Sequence, residues 1–442
     1  MPSTISPHPE RDPERSEGST SSRARRGTKG AGRPCSVTVD STPREGGAVS
    51  WDALLSTYLP ALVLAVGAGV ALPAVPTLAK SFGVSFGVAS GVITAFLLGN
   101  LAGTIPSGFL IDRFGRRVVL LSGPLLTSAV SVAVAFVQSF PELLVLRFFA
   151  GFAAQMWLMG RLAAISQNAA PAQRGRLVSW MFGMDSTGRL AGPMLGGFIA
   201  SAWGVRAPFL VYAALALIAL IPASSFGSDE APPLRAPAEK TAAPRTLSLK
   251  EIVMPRLVYF GLTLFAGLTR GPVQADLLHL YAAFAYQLGA KQIGYLATAA
   301  AMVSLPIGFL SGWMMDRFGR KRSMVPGFLG VTCTMSGLAL TAFAHLTLAW
   351  YVALFLLGVA LQALTGGSIQ TVGTDVAPAE ARGTFLGLFR FTGQGGVALS
   401  PIIFALLADR VSYGSSFLFI AACASAVAFL LIFRIPETRD GR

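Results

Sequence analysis

The chain alternates between long apolar stretches and short polar loops. Twelve stretches reach roughly the 20 residues that a helix needs to cross the hydrocarbon core of a bilayer. The pattern therefore predicts an all-α integral membrane protein with twelve transmembrane helices. The stretches lie at 54–79, 88–111, 117–138, 141–168, 175–203, 206–226, 256–285, 291–315, 323–344, 347–374, 383–408 and 414–434.

The same pattern divides the chain into four segments. Residues 1–52 are rich in Pro, Ser, Gly, Arg and Glu, which predicts a disordered cytoplasmic tail. Residues 53–227 and 252–442 hold six apolar stretches each, so each segment predicts a six-helix bundle, and the second bundle ends in a short cytoplasmic tail. Residues 228–251 are polar and proline-rich and predict a cytoplasmic linker between the bundles.

Charge supports the membrane assignment and gives an orientation. Only 13% of the residues are charged, and the mean hydropathy is +0.61. Eighteen Lys and Arg residues fall on the side of the termini and the linker, against four on the other side, so we expect both termini in the cytoplasm and the protein in the plasma (inner) membrane. The net charge of +14 is spread over short loop clusters without interleaved aromatic residues, which disfavours nucleic acid as a partner.

A charged block occurs twice, 204 residues apart. Gly108–Arg117 reads G-F-L-I-D-R-F-G-R-R and Gly312–Lys321 reads G-W-M-M-D-R-F-G-R-K, with six identical positions. Each copy follows an apolar stretch and leads into another. A repeat of this period predicts two homologous halves related by a pseudo-twofold axis along the membrane normal, with a cavity between them.

With twelve stretches and a central linker, the doubled block resembles the signature of the major facilitator superfamily. The resemblance covers about residues 53–435 and implies two pseudo-symmetric six-helix bundles that expose a central site to each side in turn. It also implies that Asp112 lies at the N-terminus of the eleventh helix when the protein faces outward, where the helix dipole favours an anion. The alternative is a basic loop that only sets orientation. The candidate latch residues are Gly108, Asp112, Arg113, Gly115, Arg116, Asp316 and Arg317.

Charged side chains inside the stretches are the candidate site residues, because each costs about 2.5 kcal/mol or more in a bilayer. Arg147 and Gly151 match the R-x-x-x-G pattern of the family, whose arginine faces the cavity. The alternative for such an arginine is a structural role, bonded to backbone carbonyls. The candidate groups for binding substrate or balancing charge are Arg147, Arg189, Arg270 and Arg390.

Three titratable residues are candidates for proton coupling. Asp185 lies four residues before Arg189, so the two share a helix face and can pair. Asp276 and His279 are three residues apart and follow Gly271-Pro272, which predicts a broken or flexible seventh helix. This pair could relay protons, since histidine titrates near neutrality, or it could be wetted at the external mouth of the cavity.

The fifth stretch carries a glycine-rich motif similar to one that is typical of proton-driven antiporters of the family, mainly drug exporters. Small residues at a spacing of four clear a stripe for close helix packing, and proline bends the helix. Packing without mechanistic meaning is the alternative. The motif residues are Gly188, Gly192, Pro193, Gly196 and Gly197.

These observations favour a proton-coupled secondary transporter that exports small organic molecules. A symporter or uniporter importing an organic anion or metabolite is the second hypothesis, because arginines outnumber acids inside the stretches and residues 53–79 hold no acidic residue. A membrane receptor or membrane-embedded enzyme is the third, although no catalytic motif is present. We expect a monomer that interacts with lipid, protons and a small-molecule substrate, and that uses neither a cofactor nor a metal ion.

Overall fold

The structure of the protein is a computed structural model. It describes residues 58–168, 171–224, 251, 253–274, 276–365, 368–378 and 381–435. These residues all belong to one compact unit, Val49–Arg442. The predicted N-terminal tail, nearly all of the predicted linker and the last residues of the predicted C-terminal tail lie outside the described residues.

The described chain is helical, as the apolar periodicity predicted. Turns and a short 3-10 segment, Met254–Arg256, connect the helices. We number fifteen α-helices in this part of the chain: α1 Leu59–Ala71, α2 Ala74–Ser81, α3 Phe86–Phe114, α4 Arg116–Ala135, α5 Phe140–Asn168, α6 Pro171–Trp203, α7 Ala207–Ser224, α8 Leu257–Gln274, α9 Leu277–Ala285, α10 Ala290–Phe318, α11 Arg320–Phe343, α12 Leu348–Leu364, α13 Ser368–Val376, α14 Arg382–Arg410 and α15 Tyr413–Phe433.

Nine helical segments within the described residues are long and apolar enough to cross a membrane. Two of them join helices that the structure separates, namely α1 with α2 and α12 with α13. The fifth, sixth and seventh predicted stretches coincide with α6, α7 and the α8–α9 pair. Helix α7 counts only as a shorter apolar helix, at Ala207–Pro222. Helix α6 carries several charged residues, and the seventh stretch is broken in two.

The predicted duplication is visible in the local backbone. Helices α3 and α10 each have 29 residues and end at a glycine, and the next helix begins directly after it. Gly115 and Gly319 have φ values of 82° and 91°, in the region that favours glycine, and each donates its N–H to the carbonyl four residues earlier. The two copies of the block therefore build the same helix–glycine–helix turn.

The two halves also repeat a glycine-based helix contact. In the first half α1 packs on α6, and a Cβ added at Gly192 would lie 2.6 Å from the Gly69 Cα. In the second half α8 packs on α14, and a Cβ added at Gly267 would lie 3.1 Å from the Gly396 Cα. Backbones can approach this closely only where side chains are absent.

Candidate transport cavity

A cavity lies between the halves and consists of two adjoining chambers with volumes of about 160 and 300 Å³. Both chambers are lined by Leu72, Arg189 and Asp276. The smaller one extends into the first half, where Arg147 lines it, and the larger one extends into the second half, where Arg270 lines it. Three of the four candidate arginines therefore meet in one place.

Arg147 comes from the N-terminal third of α5 and lines the smaller chamber. Its guanidinium carbon lies 4.6 Å from the centre of the Phe96 ring, a cation–π distance. Its Nε is buried, and within the described part of the chain it has no hydrogen-bond acceptor. Tyr212 of α7 and Asp276 line the same chamber. This placement is consistent with the prediction that Arg147 faces the cavity.

The break in the seventh stretch positions the acidic residue of the larger chamber. Helix α8 ends at Gln274 and α9 begins at Leu277, and Asp276 adopts a left-handed backbone with φ of 59°. Its Oδ1 lies 3.5 Å from Nδ1 of His279, so the predicted i,i+3 pair is in contact. His279 is buried and packs edge-on against Phe355, with ring centroids 5.4 Å apart.

Arg270 reaches the same chamber from α8. Its guanidinium donates one hydrogen bond, 2.8 Å long, to the backbone carbonyl of Thr365 at the end of α12. Arg189, from α6, is exposed to the cavity, and among the residues that the structure describes it has neither a hydrogen-bond nor an ion-pair partner.

The predicted pairing of Asp185 with Arg189 was wrong. Both carboxylate oxygens of Asp185 instead accept hydrogen bonds from Arg161 of α5, at 2.9 and 3.0 Å. Arg161 is buried and also lies 5.2 Å from the Trp157 ring. A neighbouring helix offers a two-bond geometry that an i,i+4 pair on one helix does not match, so the bidentate pair between helices forms. Asp185 lines neither chamber.

Arg390 also lies away from the two chambers. It is exposed on α14 and lines neither of them, so it does not share the site of the other three arginines. Its predicted part in binding substrate or balancing charge has no support from this geometry. The sequence indicated only that an arginine occurs within the stretch, and its direction depends on how α14 is rotated in the bundle.

One face of the molecule joins the halves by hydrogen bonds. We call it the far face and define it by Lys80, Ser85 and Asp409. Asp409, at the end of α14, accepts hydrogen bonds from the Ser85 hydroxyl at 2.7 Å and from the Gly87 backbone N–H at 2.9 Å. Ser85 is the N-cap of α3, so this carboxylate lies at the positive end of the α3 dipole.

The far face has a second contact of the opposite sign. The Lys80 ammonium donates to the backbone carbonyl of Ala283 at 2.9 Å and to the side-chain oxygen of Gln287. Ala283 lies in the last turn of α9, where the helix dipole favours a cation. Between these contacts Phe86 is buried in an aromatic cluster of the second half. Its ring centroid lies 5.8 Å from that of Phe284 and 5.2 Å from that of Tyr413.

The opposite face carries the two charged repeats, Gly108–Arg117 and Gly312–Lys321, and we call it the repeat face. Ile105 and Phe309, which are 204 residues apart and so occupy equivalent positions, are 82% and 79% exposed. An added Cβ at Gly108 or Gly312 would meet no atom within 4 Å. Hydrogen bonds join the halves at the far face, and these positions of the repeat face are uncovered, as an opening toward the repeat face requires.

The predicted latch is not engaged in this conformation. Asp112 and Arg113 are exposed, and among the described residues Asp112 has no hydrogen-bond or ion-pair partner. In the second copy Arg317 lies 5.5 Å from the Trp313 ring, and the side chain of Asp316 is outside the described part. The resemblance implies the latch for the outward-facing conformation, so its function stays a prediction.

The glycine-rich motif of α6 makes two different contacts. Gly188, Gly192 and Gly196 face α1, where an added Cβ would collide with the α1 backbone, so the predicted packing stripe is present. Gly197 faces the other half, and its added Cβ would lie 2.9 Å from the Ala290 carbonyl of α10. The motif thus packs the first half together and also contributes to the closed end of the interface.

Sequence reasoning missed the uncharged residues of the cavity. Tyr212 lines the smaller chamber, and Gln362 and Phe355 line the larger one. The amide of Gln362 in an apolar stretch was a usable signal, because a polar side chain in a membrane helix needs a partner or a use. An aromatic residue in such a stretch carries no comparable signal.

Known proteins support this architecture. The sequence model of the protein family Major Facilitator Superfamily matches residues 58–401 of this chain. The class B tetracycline resistance protein of Escherichia coli is 26% identical over 361 residues, which are 78% of this chain and 86% of that protein. Mouse (Mus musculus) solute carrier family 2, facilitated glucose transporter member 10, is 30% identical over 315 residues, which are 64% of this chain. This chain spans about half, 55%, of the length of that transporter.

The fold is also that of a solved transporter. The crystal structure of a D-xylose-proton symporter superposes with a TM-score of 0.70 at 18% sequence identity, covering 88% of this chain and 98% of the symporter. At this identity the likeness concerns the fold. The nine apolar segments of the described chain, the doubled turn and the family match agree with one another. The chain belongs to the major facilitator superfamily of membrane transporters.

Proposed function

We propose that this protein is a proton-coupled secondary transporter that exports small organic molecules by alternating access. The observation that carries the proposal is the meeting of a titratable pair with three arginines in one cavity. Asp276 and His279 lie at the break between α8 and α9, and Asp276 lines both chambers together with Arg189. A proton taken up there changes the charge opposite the guanidinium groups and with it the attraction between the halves.

Within this proposal, Asp276 and His279 carry the coupling and Asp185 does not. The carboxylate of Asp185 already satisfies Arg161 through two hydrogen bonds. Protonation of Asp185 would leave a buried arginine without its counter-charge, which is costly. Asp276 has no such bidentate partner within the described chain, so a change in its charge breaks no buried bidentate ion pair.

The orientation supports loading from the cytoplasm. We place the repeat face and both termini in the cytoplasm and the protein in the plasma (inner) membrane as a monomer, because Lys and Arg concentrate on that side. A cavity that opens toward the repeat face then receives its substrate from inside the cell. Two further observations favour export: the resemblance of the α6 motif to that of drug exporters, and the alignment with a tetracycline resistance protein over most of both chains.

A second candidate is an importer of an organic anion coupled to protons by symport, or a uniporter of such an anion. The excess of arginines over acids in the cavity favours it. The likeness to a D-xylose-proton symporter does not decide between the candidates, because it concerns only the fold.

Proteoliposomes that enclose a pH-sensitive dye test the proposal. Tetracycline and D-xylose serve as first probes, each added under an imposed pH gradient. Export by exchange predicts that the transported compound and protons move in opposite directions. It also predicts that Asp276→Asn removes the response to the gradient while Glu142→Gln, on the exposed start of α5, keeps it. Movement of compound and protons in the same direction contradicts exchange and supports the second candidate.

A further inference from the structure

The charges that line the cavity do not cancel. Arg147, Arg189 and Arg270 line the two chambers, and Asp276 is the acidic residue that lines them. These three arginines and one aspartate together leave the lining with an excess of two positive charges. Charge without a counter-charge is unfavourable in a weakly polar interior, and a guest of opposite sign relieves it.

Arg161, which lines neither chamber, shows how a structural arginine is paired in this protein. Its two terminal nitrogens donate to the two oxygens of Asp185, and the pair is internally neutral. The cavity arginines are left differently. Arg270 donates one hydrogen bond, to the Thr365 carbonyl, and Arg189 is open to the cavity without a partner in the described part of the chain. Arg147 lacks a carboxylate partner there as well, whereas its buried, unbonded Nε is a feature that Arg161 shares. Donors therefore remain for a ligand.

The rest of the lining is apolar. Phe96, Leu72 and Val75 line the smaller chamber, and Phe355 and Val359 line the larger one. Such walls suit a hydrocarbon or aromatic body, as in most small-molecule sites.

Three neutral hydrogen-bonding groups of the lining already donate within the protein, whereas the side-chain oxygen of Gln362 has no partner in the described part of the chain. The amide nitrogen of Gln362 donates to the Thr365 hydroxyl, and the hydroxyls of Thr127 and Ser304 donate to carbonyls of their own helices. The donors that stay available in the lining are therefore mainly those of the arginines.

We propose that the transported substrate is an amphipathic organic anion, a carboxylate on an apolar body. The guanidinium fork matches a carboxylate with two parallel hydrogen bonds, which favours arginine over lysine for this contact. This inference rests on the proposed function in taking the cavity as the transport site, but it does not depend on the direction in which protons move.

The anion would connect the two halves. Arg147 and Arg189 belong to the first half, on α5 and α6, whereas Arg270 belongs to α8 of the second. Arg189 lines both chambers and so lies where they join. A carboxylate held there interacts with both halves at once, which links its binding to their relative position.

The test uses matched probes that differ only in charge. Phenylacetate, phenylacetamide and phenethylamine share one skeleton, and indole-3-acetate, indole-3-acetamide and tryptamine share another. Each is titrated against the purified full-length protein in lipid nanodiscs, and the thermal midpoint Tm is followed. We expect the carboxylate of at least one series to raise Tm more than its amide and amine partners do.

Arg189→Gln identifies the site of binding. Because Arg189 has no partner in the described chain, this change should leave the fold intact, and loss of one charge-assisted hydrogen bond should weaken carboxylate binding roughly tenfold. Arg189→Lys should keep part of the affinity. Arg322→Gln, which removes a charge exposed on α11 outside the chambers, is the matched control.

The inference is overturned if carboxylates stabilise the protein no more than the amides or amines, or if Arg189→Gln has no larger effect than Arg322→Gln. Failure of the proposed function looks different. Carboxylate binding would persist in nanodiscs, while proteoliposomes would show no flux linked to a proton gradient.

Discussion

The Asp409 carboxylate accepts a hydrogen bond from the backbone N–H of Gly87 across 322 residues of sequence, at 2.9 Å. A residue of the second half thus caps α3 of the first half. A Cβ added at Gly87 would overlap this carboxylate. Glycine at this position therefore permits an interaction that holds the far face closed.

Asp409→Ala should weaken closure of the far face. It removes the acceptor of two hydrogen bonds at an exposed helix N-terminus, which should shift the balance toward the conformation open at that face by about fivefold. Spin labels at Ser81 and Val411, both exposed near this face, measure the distance between the halves by pulsed electron resonance. Arg410→Gln, which changes the neighbouring exposed charge, should leave the distance distribution as in the wild type.

Gly87→Ala should act in the same direction as Asp409→Ala without removing any charge. The added methyl group overlaps the carboxylate, so Asp409 must move away from the N-terminus of α3. The two changes combined should have no larger effect on the label distances than the stronger one alone, because they break the same contact. Additive effects would show that Gly87 matters for another reason.

Asp112→Ala should favour the conformation open at the repeat face. The side chain is exposed here, so its removal should not affect the stability of this conformation. If Asp112 latches the halves in the outward-facing conformation, the change should lower the transport rate at unchanged expression. A wild-type transport rate in proteoliposomes would contradict a latch function of Asp112.

Breaking the pair of Arg161 and Asp185 should destabilise the first half. Either Arg161→Gln or Asp185→Asn leaves a charge or a polar group buried without its partner, which typically costs about 3–5 kcal/mol. Thermal unfolding in detergent should show a large drop in Tm for each single variant. The double variant should recover much of the loss, and a sum of the two single losses would contradict a structural ion pair.

Gly192→Ala should disrupt the packing of α1 on α6. The new Cβ would lie 2.6 Å from the Gly69 Cα, and overpacking of this kind costs about 1–3 kcal/mol. Gly183→Ala is the matched control on the same helix, because a Cβ there meets nothing within 4 Å. The control should unfold at the wild-type temperature or slightly above it, since alanine is the better helix former.

The local sequence pattern was sufficient to predict the helices, the duplicated turn and the contact between Asp276 and His279. Each of these depends on neighbours in sequence or on a repeat that can be aligned by eye. The partner of Asp185, in contrast, lies on another helix, α5. Helix periodicity shows which residues share a face but not which neighbouring helix that face contacts. Arg147 and Arg161 both belong to α5, yet Arg161 pairs with Asp185 of α6 and Arg147 lines the cavity.

Contacts between the halves were the hardest to predict. Asp409 is one of two charged residues at the end of an apolar stretch, and such residues usually mark only the membrane boundary. Its function depends on the N-terminus of a helix more than 300 residues earlier in the chain. Only the assembled interface shows that the carboxylate and that N-terminus meet.

The central claim is that opening at one face excludes opening at the other. Two label pairs test it in the same nanodisc preparation: Ser81 with Val411 at the far face, and Ile105 with Phe309 at the repeat face. When Asp409→Ala or a change of pH lengthens the far-face distance, we expect the repeat-face distance to shorten in the same fraction of molecules. A far face that opens while the repeat-face distance stays unchanged would contradict alternating access in this protein.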